Sequence, residues 1–406
     1  MHTLKKILHQ GVYNSNQIKK FPIKEIITDH NVINNIYEIC KQYGSQIFLI
    51  ADQDTVKFLN QNLLKNISYF IISSTSIASL EIVNLIRKKT KDSNLIVAFG
   101  SGTINDICKY ASYLEKKDYI LFPTAASMNG YTSSNASILD NRYKRSFNAH
   151  LPKAIYIDIN ILANAPLRLT LSGFADFICR STVQADWLLS HLLFDTEYTE
   201  LPFILTNQLE KRLLAEYKKL VKRDVEVILL LMEALLVSGL GMVIAKGSHS
   251  ASQGEHMISH AMEMVTKDYS SLHGEKIAVT SNTMAKLQEK ILTMEKLLIK
   301  ETNVHIEDVI EYFPDKEFKE IFESKKITKE KADFLNKILD KNWDSIKNKI
   351  SKIVLPAQNL QEIFKDLSIP YIPEHLGWSQ EEYYKISNLA FTTRDRFTFL
   401  DLAHCI

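Results

Sequence analysis

At 406 residues, the chain is too long for one ordinary hydrophobic core, so its length predicts two domains. Its 49 basic and 47 acidic residues give a formal net charge of +2, a balance that argues against a nucleic-acid-binding or membrane-surface protein. Four cysteines, none of them in a Cys-x-x-Cys spacing, argue against a zinc ribbon or a disulfide scaffold and indicate free thiols in a reducing compartment.

Neither the N-terminus nor any internal segment predicts passage into or through a membrane. Residues 1–10 are basic but lack the apolar core of a signal peptide, so we expect a cytoplasmic protein. Residues 225–245 are strongly apolar, but they include Glu226 and Glu233. The charge-free remainder is shorter than the roughly 20 apolar residues that a spanning helix needs, so we predict a buried core helix.

Short apolar runs alternate with amphipathic stretches between residues 24 and 158, the pattern of repeated βα units around a parallel sheet. Strands are predicted at residues 46–51, 69–72, 95–99, 119–122 and 154–157, with helical patterns at 32–43, 55–64 and 77–88. This part is therefore predicted to be a doubly wound α/β domain, which binds ligands at the carboxyl ends of its strands.

Strand signals nearly vanish after residue 160, and helical patterns take over. They cover residues 173–193, 207–220, 225–245, 254–265, 275–301 and much of 303–352. The predicted architecture is an α/β domain at residues 1–162 followed by an all-helical domain at residues 163–406.

Two predicted strands run directly into residues suited to a nucleotide. Asp52 follows the first strand, where an acidic group could meet the adenosine end of a dinucleotide. The strand 95–99 leads into Gly100-Ser101-Gly102-Thr103 and then a helical pattern that includes Asp106. Glycines at a strand-to-helix turn let backbone N–H groups approach a pyrophosphate, although an ordinary tight turn is an equal alternative.

The next strand ends in a loop of small and hydroxylated residues, 123–134, at the same edge of the sheet. This loop could line the nicotinamide and ribose end of a dinucleotide, with a flexible surface loop as the alternative.

The helical half carries a candidate metal site. His256 and His260 stand at i and i+4 of one predicted helix and therefore share a face, and His273 follows closely. Such a pair more often serves packing and hydrogen bonding. Asp176, predicted in the first turn of an apolar helix, would add the oxygen ligand of a three-ligand site that keeps a position open for substrate.

Five ordered motifs resemble the glycerol-1-phosphate dehydrogenases, a family of the iron-containing alcohol dehydrogenase and dehydroquinate synthase-like superfamily. They are GSGTIND, PTAASMNGYTSS, SGFADFICRSTVQADW, SASQGEHMISH and SSLHGEKIA, and the segment 394–400, RDRFTFL, is similar to the C-terminal signature of the family. The resemblance implies a dinucleotide-binding N-terminal domain, a metal-binding helical C-terminal domain, and reduction of dihydroxyacetone phosphate to sn-glycerol 1-phosphate.

The resemblance also assigns roles to individual residues. It implies that Asp176, His256 and His273 bind one divalent ion, zinc or nickel, and that His260 and Asp176 act on the substrate beside Asn129. It implies NAD or NADP contacts from Gly100, Ser101, Gly102, Thr103, Asp106, Thr124, Ser127 and Ser133, and the position of Asp52 after the first strand adds it to the expected cofactor contacts. The expected partners are a small phosphorylated substrate and further copies of the chain, with no nucleic acid.

The sequence departs from the family at Asn129, where the relatives carry an aspartate that contacts the substrate. Asparagine keeps hydrogen-bonding capacity but cannot ionise. The alternatives are therefore another polyol or glycerol dehydrogenase, a dehydroquinate synthase-like enzyme, or a protein that binds NAD and metal but has lost catalysis.

Overall fold

A computed structural model describes residues 1–14, 17–141 and 143–406 of the chain. In chain order its α-helices and strands are α1 (His2–Gln10), β1 (Val12–Asn14), β2 (Gln17–Lys19), β3 (Glu25–Asp29), α2 (Ile36–Lys41), β4 (Ile47–Asp52), α3 (Gln61–Asn66), β5 (Ser68–Ile72), α4 (Leu80–Lys89), β6 (Leu95–Gly100), α5 (Gly102–Leu114), β7 (Asp118–Pro123), β8 (Asn135–Asp140), β9 (Tyr143–Asn148), β10 (Ala154–Asp158), α6 (Ile159–Asn164), α7 (Leu167–Ile178), α8 (Arg180–Phe194), α9 (Leu201–Glu216), α10 (Val225–Ile244), α11 (Gly254–Thr266), α12 (His273–Leu292), α13 (Ile306–Tyr312), α14 (Lys316–Lys325), α15 (Lys329–Ser351), α16 (Ala357–Asp366), α17 (Gln380–Leu389) and α18 (Phe399–Ala403).

A six-stranded parallel sheet lies in the N-terminal part, with the strand order β3-β10-β7-β6-β4-β5. Every residue of β6 is buried, as expected for a strand that is covered on both faces. All five strands predicted from the sequence are present, and residues 159–406 contain no strand. The predicted fold class, a parallel α/β part followed by a helical part, is confirmed.

The strand order reverses between β4 and β6. The chain moves outward from β4 to β5 and then returns to the other side of β4 to form β6. Loops that leave neighbouring strands in opposite directions open a crevice at the carboxyl ends, and ligands of open α/β sheets bind in such crevices. The predicted nucleotide residues Asp52 and Gly100 are the last residues of these two strands.

Three strands and a hairpin were not predicted individually. β3 pairs with β10 alone at the edge of the sheet, and Ile26 is the one buried residue among its five. β8 and β9 form an antiparallel hairpin outside the main sheet, and their sequences are largely polar. β1 and β2 pair with each other near the N-terminus.

Two compact units divide the chain. Unit 1 contains residues 1–177 and 204–247, and unit 2 contains residues 178–203 and 248–406. The division falls inside α7 and inside α9, whereas the sequence predicted a single boundary between residues 162 and 163. That boundary remains a prediction for the functional domains.

The apolar helix α10 belongs to unit 1. By length and composition it could cross a membrane, but 83% of its most apolar window is buried inside the structure. The core helix of a soluble protein meets the same test, so the helix is weak evidence for a membrane span. Asp224 caps its first turn by accepting a hydrogen bond from Val227 N at 3.1 Å.

One helix prediction was wrong in a way that bears on the site. Residues 173–193 were expected to form one helix, but α7 begins at Leu167, directly after Pro166, and ends at Ile178, and α8 begins at Arg180. Proline is favoured at a helix start, whereas nothing in the apolar sequence around Cys179 signals a break. Asp176 therefore lies in the last turn of α7 and not in a first turn.

Candidate functional site

The turn between β6 and α5 places backbone N–H groups at the carboxyl edge of the sheet. Ser101 precedes the first residue of α5, Gly102, and Thr103 follows it. A Cβ added to Gly100 would stand 2.5 Å from Ile104 Cγ1, so glycine lets the helix pack directly on the strand end. The N-terminus of α5 thus has the form of an anion site, with its unpaired N–H groups and positive partial charge.

Asp52 stabilises the turn after β4. Its Oδ1 accepts hydrogen bonds from Asp54 N at 2.9 Å and from Thr55 N and Oγ1 at 2.8 and 2.9 Å. Thr55 Oγ1 also lies 3.3 Å from the carbonyl oxygen of Phe99, which links the ends of β4 and β6. The predicted contact of Asp52 with a nucleotide remains a prediction.

Asp106 faces the hairpin and not the helix N-terminus. It is buried, and it accepts hydrogen bonds from Ser137 N at 3.1 Å and from Asn105 Nδ2 at 2.9 Å. Burial raises its pKa, and the charge of neighbouring Lys109 opposes that rise. These contacts give Asp106 a structural role beside its predicted part in cofactor binding.

Lys109 fixes the loop that follows β7. Its Nζ donates to the carbonyl oxygens of Gly130 and Ser133, at 2.5 and 3.0 Å, and burial lowers its pKa to about 8. Ser133 Oγ lies 2.8 Å from the carbonyl oxygen of Asn135, so its hydroxyl is part of the same network. These hydrogen bonds hold the loop against α5, contrary to the alternative of a flexible surface loop.

The other two hydroxyls predicted to contact the cofactor also lie in this loop. Thr124 is buried, and its backbone N donates to the carbonyl oxygen of Gly100 at 3.1 Å, which joins the ends of β6 and β7. Ser127 is buried and lies 2.9 Å from the hydroxyl of Tyr131. Both side chains are at the carboxyl edge of the sheet, where the cofactor was predicted.

Asn129 and Asp176 are neighbours within unit 1. Asn129 N donates a hydrogen bond to Asp176 Oδ2 at 2.9 Å. Asp176 is 2% exposed, and it occupies the last turn of α7, where the helix dipole disfavours a carboxylate. The hydrogen bond offsets part of this cost, and a cation would offset more. This unfavourable position is consistent with a carboxylate that is kept to bind a cation.

Unit 2 brings the three predicted histidines together. His256 and His260 lie on α11, and His273 is the first residue of α12. The ring centroids of His256 and His273 are 5.1 Å apart, and that of His260 lies 6.2 and 6.3 Å from theirs. The helical spacing predicted the first pair, and the fold adds His273.

Glu255 orients the ring of His256. Its Oε1 lies 2.7 Å from His256 Nδ1 and accepts a hydrogen bond from Gln253 N at 2.8 Å. A carboxylate on one imidazole nitrogen fixes the tautomer and makes Nε2 the expected ligand atom, as in many metal-binding histidines. Ligand atoms of Cys179, Glu255 and His256 lie within 4.8 Å of one another, but Glu255 is engaged in these contacts and acts as a support.

His260 lies in a buried environment that keeps it neutral. Burial lowers its pKa to about 3, and the positive charge of Arg394 acts in the same direction. Its Nδ1 lies 3.5 Å from Glu263 Oε2, and the other oxygen of Glu263 pairs with Lys276 Nζ at 2.7 Å. Sequence reasoning missed Glu255, Glu263 and Lys276, although Glu263 stands at i+3 from His260, a spacing that brings side chains together on a helix.

Asp186 on α8 anchors the start of α11. Its Oδ2 accepts a hydrogen bond from Gly254 N at 3.0 Å, and its Oδ1 accepts one from Phe399 N at 3.0 Å. Burial raises its pKa to about 8, and the charge of Glu255 adds to the rise. This residue was also missed, because a single aspartate in a helical pattern gives no signal of contacts so distant in sequence.

Comparisons with known proteins agree with this arrangement. The model of the iron-containing alcohol dehydrogenase family matches residues 27–166. A glycerol-1-phosphate dehydrogenase from Sulfurisphaera tokodaii is 34% identical over 269 residues, which cover 64% of this chain and 76% of the relative. One from Pyrococcus furiosus is 31% identical over 280 residues, covering 66% of this chain and 80% of the relative. The chain belongs to the glycerol-1-phosphate dehydrogenase family. This membership confirms the resemblance of the motifs.

Two solved structures share the fold. A probable glycerol dehydrogenase from Sinorhizobium meliloti 1021 has a TM-score of 0.64 at 15% identity, with 93% of this chain and 91% of that chain covered. Sulfoacetaldehyde reductase from Bifidobacterium kashiwanohense, solved in complex with NAD+, has a TM-score of 0.57 at 12% identity, with 95% and 93% covered. At these identities the likeness concerns the fold alone.

Proposed function

We propose that the protein is a cytoplasmic enzyme that reduces dihydroxyacetone phosphate to sn-glycerol 1-phosphate with NADH or NADPH, and that it uses one divalent ion. The observation that carries the proposal is the histidine cluster of unit 2, in which a buried carboxylate orients His256. Membership of the glycerol-1-phosphate dehydrogenase family supports the substrate and the cofactor.

Asp176, His256 and His273 are the proposed metal ligands. A carboxylate with two imidazoles suits zinc, nickel and other first-row divalent ions, and three protein ligands leave a position for substrate. Glu255 on His256 Nδ1 and Asn129 N on Asp176 Oδ2 are the supporting contacts that orient two of the three ligands. When bound, the ion acts as a Lewis acid that polarises the ketone oxygen.

His260 is proposed to contact the substrate and not the metal. Its Nδ1 faces Glu263 Oε2, so the ring is expected to carry its proton on Nδ1 and to use Nε2 toward the substrate. A neutral imidazole there orients a substrate hydroxyl and relays a proton through water. Asn129 keeps a hydrogen-bonding amide beside Asp176, although it cannot serve as a base.

The proposed NAD(P) site is the carboxyl edge of β4, β6 and β7. The N-terminus of α5, from Gly100 to Thr103, supplies N–H groups for the pyrophosphate, and Thr124 and Ser127 supply hydroxyls nearby. When bound, the dinucleotide supplies the hydride that reduces the ketone.

A spectrophotometric assay tests the function. Purified protein with NADH or NADPH is expected to oxidise the nucleotide on addition of dihydroxyacetone phosphate, much faster than with dihydroxyacetone, and to lose this activity on chelation. The product should not be oxidised by a dehydrogenase specific for sn-glycerol 3-phosphate.

Other outcomes select the alternatives. A preference for dihydroxyacetone or glycerol would indicate a polyol dehydrogenase. No turnover of any ketone by metal-loaded protein that still binds the nucleotide would indicate that Asn129 marks a loss of catalysis.

A further inference from the structure

Two arginines of the RDRFTFL segment donate hydrogen bonds to the loop that precedes α11. Arg394 Nη1 donates to Ser252 Oγ at 2.7 Å, and Arg396 donates to the carbonyl oxygen of Ser252 and, at 2.8 Å, to Ser248 Oγ. Within the described residues, neither guanidinium has a carboxylate oxygen at ion-pair distance. Their hydrogen-bond acceptors are therefore neutral serine oxygens, and the charge of Glu255 acts on both guanidinium groups only from beyond ion-pair distance.

Burial of the two guanidinium charges is energetically unfavourable. It lowers the pKa of both guanidinium groups, that of Arg396 to about 9, and the neighbouring charge of Arg394 contributes to the shift at Arg396. Two like charges in a partly buried place repel each other, and an anion that accepts hydrogen bonds from both removes the repulsion. Guanidinium groups match the oxygens of a phosphate in geometry, and each has donors beyond those engaged with the serines.

The arginines line a cavity of about 530 Å³ in unit 2. Glu317 and Glu320 line the same cavity, and Glu320 pairs with exposed Lys316 at 2.8 Å. Asp395, between the two arginines, is exposed. The lining therefore combines the two guanidinium groups with three carboxylates, of which Glu320 already pairs with a lysine.

The backbone that carries the arginines is held in place. Buried Lys325 donates to the carbonyl oxygens of Phe391 and Arg394, at 2.6 and 3.0 Å, and pairs with Asp401 at 2.8 Å. A site whose backbone is already ordered loses less conformational freedom when it binds a ligand.

The arginines contact the loop that leads into the helix carrying His256 and His260. Arg394 acts electrostatically on His260, and the serines that accept from the arginines belong to the loop that leads into α11. We propose that Arg394 and Arg396 bind the phosphate group of the substrate and thereby select dihydroxyacetone phosphate over dihydroxyacetone. This inference rests on the proposed function and adds the residues that recognise the phosphate.

Substitution of the arginines tests the proposal in the metal-loaded enzyme. Arg394→Gln and Arg396→Gln should each lower kcat/KM for dihydroxyacetone phosphate by about 10- to 100-fold, the usual range for a charge-assisted hydrogen bond, with kcat/KM for dihydroxyacetone changed less than about 3-fold. Arg212→Gln is the control, because it removes an exposed guanidinium in unit 1. This variant should keep the discrimination between the two ketones.

Three results would overturn the proposal. Equal losses toward both ketones in the glutamine variants would show that the arginines only hold the loop. A rise in KM for the nucleotide with no change for dihydroxyacetone phosphate would assign the arginines to the cofactor. A wild-type enzyme without preference for dihydroxyacetone phosphate would remove the proposed function itself.

A second measurement needs no variant. With the wild-type enzyme, inorganic phosphate should inhibit competitively against dihydroxyacetone phosphate and not against NADH. Competition against NADH alone would contradict the proposal, even if the arginine variants fail to fold.

Discussion

Removal of the Lys276 ammonium group should destabilise the protein strongly. Lys276 and Glu263 are 1% and 3% exposed, their Nζ and Oε1 atoms are 2.7 Å apart, and Nζ also donates to the carbonyl oxygen of Asp268 at 3.2 Å. Lys276→Met leaves the Glu263 carboxylate buried without this partner. The cost of breaking a buried pair in this way is about 3–5 kcal/mol, a large part of the roughly 5–15 kcal/mol that stabilises a typical domain.

Equilibrium unfolding in urea measures this loss. Lys385→Met is the matched control, because Lys385 and Glu381 form an exposed pair at 2.7 Å on α17, whose loss should leave the unfolding midpoint nearly unchanged. The double variant Glu263→Leu/Lys276→Met should recover much of the stability, since no buried charge remains. A loss below about 1 kcal/mol for Lys276→Met would refute the reasoning that the pair is desolvated and mutually dependent.

Two further perturbations test the packing and the charges. Gly173→Ala should lower the free energy of unfolding in urea by about 1–3 kcal/mol, because the new Cβ would lie less than 3.0 Å from the carbonyl of Ala126. Gly102→Ala is the control and should cost less, because its Cβ meets only the flexible side chain of Met128. Equal losses in the two variants would contradict this reasoning. His249 has its pKa lowered to about 4 by burial and then by the charges of Arg396 and Arg394, so the unfolded chain takes up its proton first as the pH falls. The wild type should therefore lose stability between the ordinary pKa of about 6.5 and about 4, and His249→Phe should lose less over that range; parallel curves for the two proteins would exclude this effect.

The sequence predicted the sheet because its inner strands are short, apolar and separated by helical patterns. β6 shows why, since all of its residues are buried and no polar residue interrupts it. β3 was not predicted because this edge strand is only five residues long and contains one buried residue. The hairpin of β8 and β9 was not predicted because it is largely polar and lies outside the sheet. The break between α7 and α8 was not predicted because no glycine or proline stands at or beside residue 179.

The site was predictable where contacts follow local periodicity. His256 and His260 share a helix face by their spacing, and Gly100 to Thr103 stand at a strand-to-helix turn. Contacts between residues far apart in sequence were not predictable in this way. Arg394 and Ser252, for example, are 142 residues apart, and no spacing rule links them.

The metal content of purified, reconstituted protein tests the central claim most directly. Asp176, His256 and His273 are proposed to hold about one divalent ion per chain, so the wild type and the exposed control His375→Ala should each retain about one. Asp176→Ala, His256→Ala and His273→Ala should retain far less while still folding, as judged by circular dichroism. Full metal content in His256→Ala would contradict the account.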